Sequence, residues 1–313
     1  MSPCVSIVMP CYNAADHLAR SIGSVRAQSL PDWELIVVDD GSRDESWSRL
    51  QQMANEDRRI RPYRQENQGA AAARNRALRE VSGRYVSFLD ADDYWQPDFL
   101  QRMSAALETT PAAGLVYCGW RNVGLGEARD KPFVPPDYES ADKVEKLLAG
   151  CRWPIHAAMV RSSLIADSRG FDETLSSCMD YDLWLRIGTN TRLLRVAEVL
   201  AIYHHHGDGQ ITQNRARIAL NHWRVQQKFL RAHPDIAARL GPHEVRRLTA
   251  GELLQRGYAS YWEGDLRAAR GIFRQVMRLG YGAPRDWLYM LPSLLPEPLH
   301  RALRRLRRSV GET

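Results

Sequence analysis

Three carboxylates directly follow a short apolar run in this 313-residue chain. Residues 85–89 (YVSFL) are aromatic, β-branched or apolar apart from one serine, which is typical of a buried strand. Asp90, Asp92 and Asp93 come next, and like charges this close are costly to hold together without a cation. A divalent metal that carries a phosphate would resolve the conflict, because it takes oxygen ligands from carboxylates and from a diphosphate. The alternative is an acidic turn leading to the helix near Pro97.

Two earlier apolar runs also end in polar residues. Residues 5–9 (VSIVM) lead into 10–13 (PCYN), and residues 33–38 (WELIVV) lead into 39–42 (DDGS). The carboxyl ends of parallel strands meet at one edge of a sheet, where α/β proteins bind their ligands. Carboxylates and an aromatic ring from three strands would then share one site, a pattern that indicates nucleotide binding.

The segments between these runs have the spacing of helices. Apolar residues recur at helical intervals over 15–28, and an alanine-rich helix is predicted over 70–80. Further strands are predicted at 60–64 and 115–120. Strands that alternate with helices predict an α/β fold, with a mostly parallel, Rossmann-like sheet flanked by helices.

Polar residues at the predicted helix starts suggest caps. Asn13 is expected to cap the first helix, with Asp16 in its first turn. Ser42 and Glu45 have the spacing of a capping box for the second helix.

The composition, with 44% hydrophobic and 26% charged residues, is that of a globular protein. The sequence has no apolar run of 18 residues, and its N-terminal stretch lacks the features of a signal peptide. The five cysteines show no CxxC spacing, so we expect reduced thiols and a cytoplasmic protein.

Positive charge is concentrated in the last third of the chain. The net charge is +6, but residues 215–313 carry 19 Lys and Arg against 8 Asp and Glu. This part is predicted to be helical and to meet an anionic partner. Because no known nucleic-acid module is visible, we expect no nucleic acid; a phospholipid surface and a lipid-linked phosphate stay open.

Four ordered motifs resemble family 2 glycosyltransferases of the GT-A fold: residues 10–13 (PCYN), 38–42 (VDDGS), 67–75 (NQGAAAARN) and 89–93 (LDADD). The resemblance covers roughly residues 4–210. It implies an inverting, metal-dependent transferase that moves a sugar from a nucleoside diphosphate sugar, expected to be UDP-linked, to a glycan or lipid-linked acceptor. Cell-surface polysaccharide or glycolipid synthesis is the implied setting.

The same resemblance implies donor-binding residues, with Asp40 as the contact to the base. The implied set is Pro10, Tyr12, Asn13, Asp39, Asp40, Gly69, Arg74, Asn75 and Asp90. Three alternatives stay open: loop packing for Tyr12, helix capping for Asp40, and a solvated helix face for Arg74 and Asn75.

For the metal, the resemblance matches Asp90 and Asp92 to a DxD motif that binds Mg²⁺ or Mn²⁺, with Asp92 as the direct ligand. In the stretch 203–212 (YHHHGDGQIT), His206 is the expected contact to metal or phosphate. His204 and His205 are expected to be exposed.

Asp180 matches the catalytic base of the family, which takes the proton from the acceptor hydroxyl. Met179 stands where the family usually has Glu, so one neighbouring charge is missing. The alternative role for Asp180 is a helix N-cap, and Asp182 is expected to be structural or to touch the acceptor. Residues 153–156 could line the acceptor cleft, although core packing is the favoured interpretation.

We therefore predict a GT-A domain over 1–214 and a helical extension over 215–313. Residues 257–279 resemble one tetratricopeptide-like helical hairpin, although a plain helical extension is the favoured interpretation. Leu299, Leu303, Leu306 and Val310 share a helical face, and arginines cover much of the rest. Such a helix could lie on the inner face of a membrane or dock on the protein itself.

Two rival functions are considered. A nucleotidyltransferase also uses acidic metal ligands, but residues 10–13 lack a glycine-rich phosphate loop. A degenerate transferase acting as a helical adaptor is the second, and the presence of Asp92 and Asp180 argues against it.

Overall fold

The computed structural model describes residues 3–126, 129–207 and 214–311, with side chains up to residue 304. The chain divides into two compact units, Met1–Leu147 with Cys151–Gln210 and Leu148–Gly150 with Ile211–Thr313. Within the described residues no helix is both long and apolar enough to cross a membrane. All five cysteines are free thiols, as the sequence predicts.

The first unit is built on one mixed sheet flanked by helices. Its strands in the described residues are β1 Val5–Cys11, β2 Trp33–Asp39, β3 Ile60–Arg64, β4 Tyr85–Phe88, β5 Tyr94–Trp95, β6 Ala113–Val123, β7 Pro132–Phe133, β8 Ala158–Arg161 and β9 Arg192–His204. The helices are α1 Ala15–Arg26, α2 Ser46–Glu56, α3 Ala70–Leu78, α4 Phe99–Thr109, α5 Lys143–Ala149, α6 Ser162–Ser168 and α7 Met179–Gly188.

The sheet has the strand order β3-β2-β1-β4-β8-β6-β9-β5, and β7 pairs with β6. The half that contains β3, β2, β1 and β4 is parallel, as the sequence predicts. Beyond β4 the sheet is mixed, because β8 runs antiparallel to both β4 and β6. The expectation of a mostly parallel sheet is therefore too simple. The sequence does not indicate the antiparallel strand, because β8 has four residues, directly precedes a helix and carries no clear strand periodicity.

The register of the parallel half brings the polar loops together. Cys11 pairs with Asp39, which in turn pairs with Arg64. Val8 pairs with Phe88, two residues before Asp90. The loops that follow β1, β2, β3 and β4 consequently leave the sheet at one edge.

Both predicted caps are wrong. The N-cap of α1 is Ala14, and Asn13 has a left-handed backbone (φ 48°) with its side-chain oxygen accepting from the Arg43 N–H at 2.9 Å. Helix α2 begins only at Ser46, after an N-cap at Glu45. The Ser42 hydroxyl instead accepts from the Asn13 N–H at 2.9 Å. These side chains join the two loops to each other, which local spacing does not reveal.

The second unit is helical. Its helices are α8 Arg215–Ala232, α9 Pro234–Arg246, α10 Glu252–Glu263, α11 Leu266–Arg278, α12 Pro284–Met290 and α13 Glu297–Gly311, with a π-helical turn over Arg247–Gly251 and a 3-10 turn over Leu291–Leu294.

Helices α10 and α11 form the predicted hairpin. Gly264 ends α10 in a left-handed conformation (φ 96°), and the Asp265 side chain caps α11 by accepting from the Ala268 N–H. Phe273 is fully buried and lies so close to Gly257 that a Cβ there would be 2.7 Å from its ring. Glycine at 257 therefore allows the two helices to pack closely.

In the first unit, Glu34 joins the parallel strands through a buried carboxylate. It accepts from the Ser6 hydroxyl at 2.5 Å, the Ser82 N–H at 2.9 Å and Arg61 at 2.7 Å. Burial alone would raise the pKa of Glu34, but these donors outweigh it and lower the pKa. Because the folded state holds this carboxylate ionised, its stabilising effect is present at neutral pH and is lost as pH falls through the lowered pKa.

We predict that Glu34→Gln lowers the free energy of unfolding at pH 7 by about 1.5–3 kcal/mol, the range for hydrogen bonds to charged groups. Urea unfolding at pH 7 and near pH 3 checks this, and the difference from the unmodified chain should shrink at the lower pH. Glu56→Gln is the control, since that half-exposed carboxylate forms a surface pair with Arg26 worth less than about 1 kcal/mol. Equal losses for both variants would contradict the prediction.

Candidate functional site

The carboxylates after β4 each have a basic partner. Asp90 forms an ion pair with Arg74 of α3. Arg74 is only 5% exposed, and its other guanidinium nitrogen lies 3.2 Å from the Met179 sulfur at the start of α7. The alternative of a solvated helix face is therefore wrong for Arg74, which connects the acidic turn to α7.

Asp92 is paired with His206. The Asp92 carboxylate oxygen lies 2.9 Å from Nε2 of His206, and both side chains are 25% exposed. The His206 ring also packs against His17 of α1, with 4.5 Å between ring centroids. The part of the predicted loop over residues 208–212 lies outside the described residues.

The expectation that His204 and His205 are exposed is wrong, since both are half-buried. His204 is the last residue of β9, and its ring lies 5.6 Å from that of His17. His205 contacts the Asn122 side-chain oxygen at 3.0 Å and packs against Tyr203. Pairing of β9 with β6 holds these residues, which the polar sequence alone does not indicate.

Asp93 and His156 form a buried pair beneath the acidic turn. The Asp93 carboxylate lies 2.8 Å from Nδ1 of His156, and its other oxygen accepts from the His204 N–H at 2.8 Å. Burial raises the pKa of Asp93 to about 6, although His156 opposes the shift. For His156, burial opposes the charged form, but Asp93 outweighs it and raises the pKa.

This pair fixes the turn relative to the end of β9, so that Asp92 and the loop carrying His206 are positioned together. Sequence reasoning missed the pairing of His156 with Asp93, because the two residues are more than sixty positions apart. The only signal was the unusual third carboxylate in the turn.

Asp40 ties the loop after β3 to the sheet. Its carboxylate accepts from the N–H groups of Gln68 and Gly69 at 2.9 and 2.7 Å, and from the Gln65 amide at 2.8 Å. Gly69 is the N-cap of α3 with φ 92°, a conformation that favours glycine. The contacts of Asp40 in this structure therefore agree with its alternative role, helix capping, at the start of α3.

Asp39 is fully buried and faces Nε of Arg64 at 3.0 Å. Arg64 also donates to the Ser42 carbonyl at 3.0 Å. The pair holds the loops after β2 and β3 together. Gly41 between them has φ 75°, and a Cβ there would be 2.9 Å from the Asn67 nitrogen.

An open concavity of about 540 Å³ lies beside these loops. Tyr12 lines it and is 48% exposed, which disagrees with the alternative of loop packing. The remaining lining residues are Gly41, Arg43, Arg64, Gln65, Glu66 and Asn67. Pro10 is half-exposed within β1. The concavity offers one ring, two guanidinium groups and several backbone groups to a flat polar ligand.

Asn75 fastens the loop that precedes α7. Its side-chain amide exchanges two hydrogen bonds with the backbone of Phe171, at 2.8 and 2.9 Å, and donates to Glu173 at 2.7 Å. These contacts make it a positioning residue for that loop. The alternative of a solvated helix face does not describe it either.

Asp180 lies in the first turn of α7, half-buried, beyond the N-cap Cys178. The N-cap alternative is therefore wrong by two residues. Burial raises the pKa of Asp180, while the Tyr181 N–H and Arg74 oppose the shift and Asp90 adds to it. A carboxylate with a raised pKa, influenced by both members of the Arg74–Asp90 pair, is a suitable proton acceptor.

The neighbours of Asp180 have structural roles. Asp182 is buried and paired with Arg186 at 2.8 Å, which agrees with its structural interpretation. Trp153 is buried and stacks on Tyr117, with 4.5 Å between ring centroids, and His156 is fully buried. Core packing, the favoured interpretation, is therefore correct for both.

The side chains of Asp92 and His206 suit a cation that a bound ligand would also coordinate. Within the described residues, no three His, Cys, Asp or Glu side chains converge to hold a metal ion by themselves. The facing atoms of Asp92 and His206 are 2.9 Å apart. Adjacent ligands of an octahedral Mg²⁺, each about 2.1 Å from the ion, are about 3 Å apart. Because Mg²⁺ is commonly bound through one or two carboxylates and substrate phosphates, this arrangement is sufficient.

Comparison with known sequences gives a family and two informative relatives. The sequence model of glycosyl transferase family 2 matches residues 6–166. TuaG of Bacillus subtilis (strain 168), provisionally assigned as a teichuronic acid biosynthesis glycosyltransferase, is 50% identical over 101 residues, 32% of this chain and 40% of TuaG. Chondroitin synthase of Escherichia coli is 29% identical over 185 residues, 59% of this chain and 26% of the synthase. The chain spans less than half the length of either relative.

Solved structures share the fold. The mannosyltransferase PcManGT from Pyrobaculum calidifontis, solved with GDP-Man and Mn²⁺, has a TM-score of 0.61 at 20% identity, over 98% of this chain and 85% of its own. Residues 1–349 of S. aureus TarS, solved with UDP-GlcNAc, have a TM-score of 0.57 at 17% identity, over 86% and 83%. The GT-A fold predicted from the motifs is confirmed.

We predict that Asp93→Ala and His156→Ala each lower the free energy of unfolding by about 3–5 kcal/mol, because each leaves a buried partner without its counter-charge. The double variant should lose less than the sum, with a coupling of about 0.5–3 kcal/mol. Urea unfolding of the four proteins measures the cycle. Strictly additive losses would show that the two side chains act independently.

Proposed function

The chain belongs to glycosyl transferase family 2, and from that premise we propose that it transfers a sugar from a nucleoside diphosphate sugar to an acceptor hydroxyl, with inversion and with a divalent metal. One set of contacts supports the proposal: loops at one edge of the sheet line a nucleotide-sized concavity beside Tyr12 and carry Asp90 and Asp92, and Arg74 contacts both Asp90 and Met179, the neighbour of Asp180. The concavity and the carboxylates of Asp90 and Asp92 would recognise the donor, and Asp180 would activate the acceptor.

The concavity beside Tyr12 is the proposed site of the base and ribose. An exposed tyrosine ring offers a stacking surface, and Arg43 and Arg64 offer hydrogen-bond donors to carbonyl oxygens of a base. Asp40 contributes indirectly, because its carboxylate holds the loop that lines the concavity. We favour a uridine nucleotide, in keeping with TarS and its UDP-GlcNAc, over the guanosine nucleotide of PcManGT.

The proposed metal is Mg²⁺ or Mn²⁺, held by Asp92 and His206, with Asp90 oriented by Arg74 nearby. When bound, such an ion neutralises the diphosphate and stabilises it as a leaving group. Arg74 and His206, the basic partners of Asp90 and Asp92, hold these carboxylates in place.

Asp180 is the proposed base. As the acceptor oxygen forms its bond to the anomeric carbon, Asp180 takes the hydroxyl proton, and the bond to the diphosphate breaks on the opposite face. A raised pKa brings this carboxylate nearer to the working pH, which favours proton transfer. Met179 beside it is uncharged and packs on Arg74, so the acceptor meets fewer negative charges than with Glu there.

The proposed acceptor is a glycan or a lipid-linked sugar in cell-surface polysaccharide synthesis, in keeping with the names of TuaG and chondroitin synthase. Family membership argues against a nucleotidyltransferase. An adaptor that has lost activity would not need carboxylates held in place by Arg74 and His206.

We predict that Asp92→Ala removes the metal-dependent part of UDP binding. Thermal unfolding with UDP should show a larger stabilisation in the presence of Mn²⁺ for the unmodified chain, and the same small shift with and without Mn²⁺ for the variant. Asp137→Ala, which removes an exposed carboxylate, is the matched control. A variant that keeps the full Mn²⁺ effect would remove Asp92 from the metal site.

We predict that Asp180→Asn retains UDP-sugar binding but loses about 10²–10⁴-fold in turnover, the usual contribution of a general base. Hydrolysis of a panel of UDP- and GDP-sugars, with water as the acceptor, measures turnover without knowledge of the natural acceptor. Unchanged hydrolysis would exclude Asp180 as the base. Absence of both turnover and nucleotide binding in the unmodified chain would favour the adaptor.

A further inference from the structure

The second unit exposes an unusual number of leucines on one short segment. Among the described residues, six of the eleven exposed large apolar side chains lie between positions 288 and 303. They are 37–58% exposed and comprise Leu288, Leu291, Leu294, Leu295, Leu299 and Leu303. We refer to these six as the leucine patch. Such clustering marks a binding surface, since single exposed leucines are otherwise scattered.

The leucine patch is the outer side of a packed segment. The same stretch buries Met290, Ser293 and His300, each with at most 1% of its surface exposed. Arg274 of α11 donates to the Ser293 carbonyl at 2.9 Å, which holds the 3-10 turn on the hairpin. The segment is thus fixed on one side and apolar on the other.

The charge around the patch is strongly positive. Between residues 266 and 311 there are ten arginines and two carboxylates, Asp286 and Glu297. Both carboxylates are already engaged: Asp286 accepts from the Tyr258 hydroxyl at 2.7 Å, and Glu297 pairs with Arg301 at 2.6 Å. Little negative charge is left to repel an anionic partner.

Arginines and leucines alternate around two open concavities. One, of about 490 Å³, is lined by Leu291 and Leu294 together with Arg274, Arg278, Met277 and Trp287. The other, of about 510 Å³, has Arg267, Arg301 and Arg304 around the start of α11, with Glu297 and Asp265 also on its wall. Guanidinium groups beside apolar side chains match a phosphate next to an acyl chain.

We propose that the leucine patch and its arginines bind the surface of an anionic phospholipid membrane. The leucines enter the boundary between headgroups and acyl chains, and the arginines contact the lipid phosphates. Protein interfaces take most of their affinity from Trp, Tyr and Arg, with Leu under-represented, so a leucine–arginine surface fits a membrane better than a protein partner. The proposal is independent of the transferase chemistry.

Co-sedimentation of the full chain with vesicles tests the proposal. Binding should be strong to phosphatidylcholine vesicles that contain phosphatidylglycerol, weak to phosphatidylcholine alone, and reduced by salt. The double variant Leu291→Glu/Leu294→Glu should bind at least tenfold more weakly. Arg278→Glu/Arg285→Glu should also weaken binding, by about fivefold or more for each charge reversed.

Leu125→Glu, which changes an exposed leucine of the first unit, is the matched control and should bind as the unmodified chain does. Unchanged unfolding temperatures and UDP binding show that the variants are folded, because none of the changed residues lies at the proposed active site. Three results would each overturn the proposal: no vesicle binding, equal binding to neutral and anionic vesicles, or a dimer dispersed by the leucine changes while vesicles do not bind.

Discussion

The compensation of carboxylate charge at one edge of the sheet is the constraint on which the first unit depends. Asp39, Asp90, Asp92 and Asp93 follow the carboxyl ends of two parallel strands, and each faces a basic side chain. Asp40 is held by backbone N–H groups instead. Left unpaired, buried carboxylates would destabilise the fold or take up protons. The partners come from β3, α3, the loop after β9 and the turn before β8, so charge compensation also fixes these elements around the edge.

The same pairs differ in how easily a ligand could replace the partner. Asp39 and Asp93 are themselves buried, Asp93 with a buried partner and Asp39 with the half-exposed Arg64, and both hold loops in place. Asp92 and His206 are each a quarter exposed and meet through a single contact, which a cation could enter. In the proposed function, Asp39 and Asp93 position the site, and Asp92 exchanges its partner for the metal. Asp180, whose pKa is raised by burial, is the proposed proton acceptor.

Much of the fold and of the acidic edge could be predicted from the sequence. The remaining features could not be predicted, for physical reasons. Apolar runs that end in DDGS and DADD predict strands and an acidic edge, because strand periodicity and charge cost are local properties. The pairings of His156 with Asp93 and of Arg64 with Asp39 were missed, since the partners are distant in sequence or lie on another strand. Asn13 and Ser42 were assigned as caps from spacing, whereas each bonds to the other's loop. The short strand β8, between a turn and a helix, gave no periodic signal for the mixed half of the sheet.

The most direct test of this account is the coordination of Mn²⁺ in the complex with UDP. Pulsed electron paramagnetic resonance detects a nitrogen ligand through its modulation of the Mn²⁺ signal. If the ion enters between Asp92 and His206 and binds both, the unmodified chain will show ¹⁴N modulation, and His206→Asn will lose it while still binding UDP. An Mn²⁺–UDP complex without nitrogen coupling, or one whose spectrum is identical in the variant, would contradict the exchange of partners at Asp92.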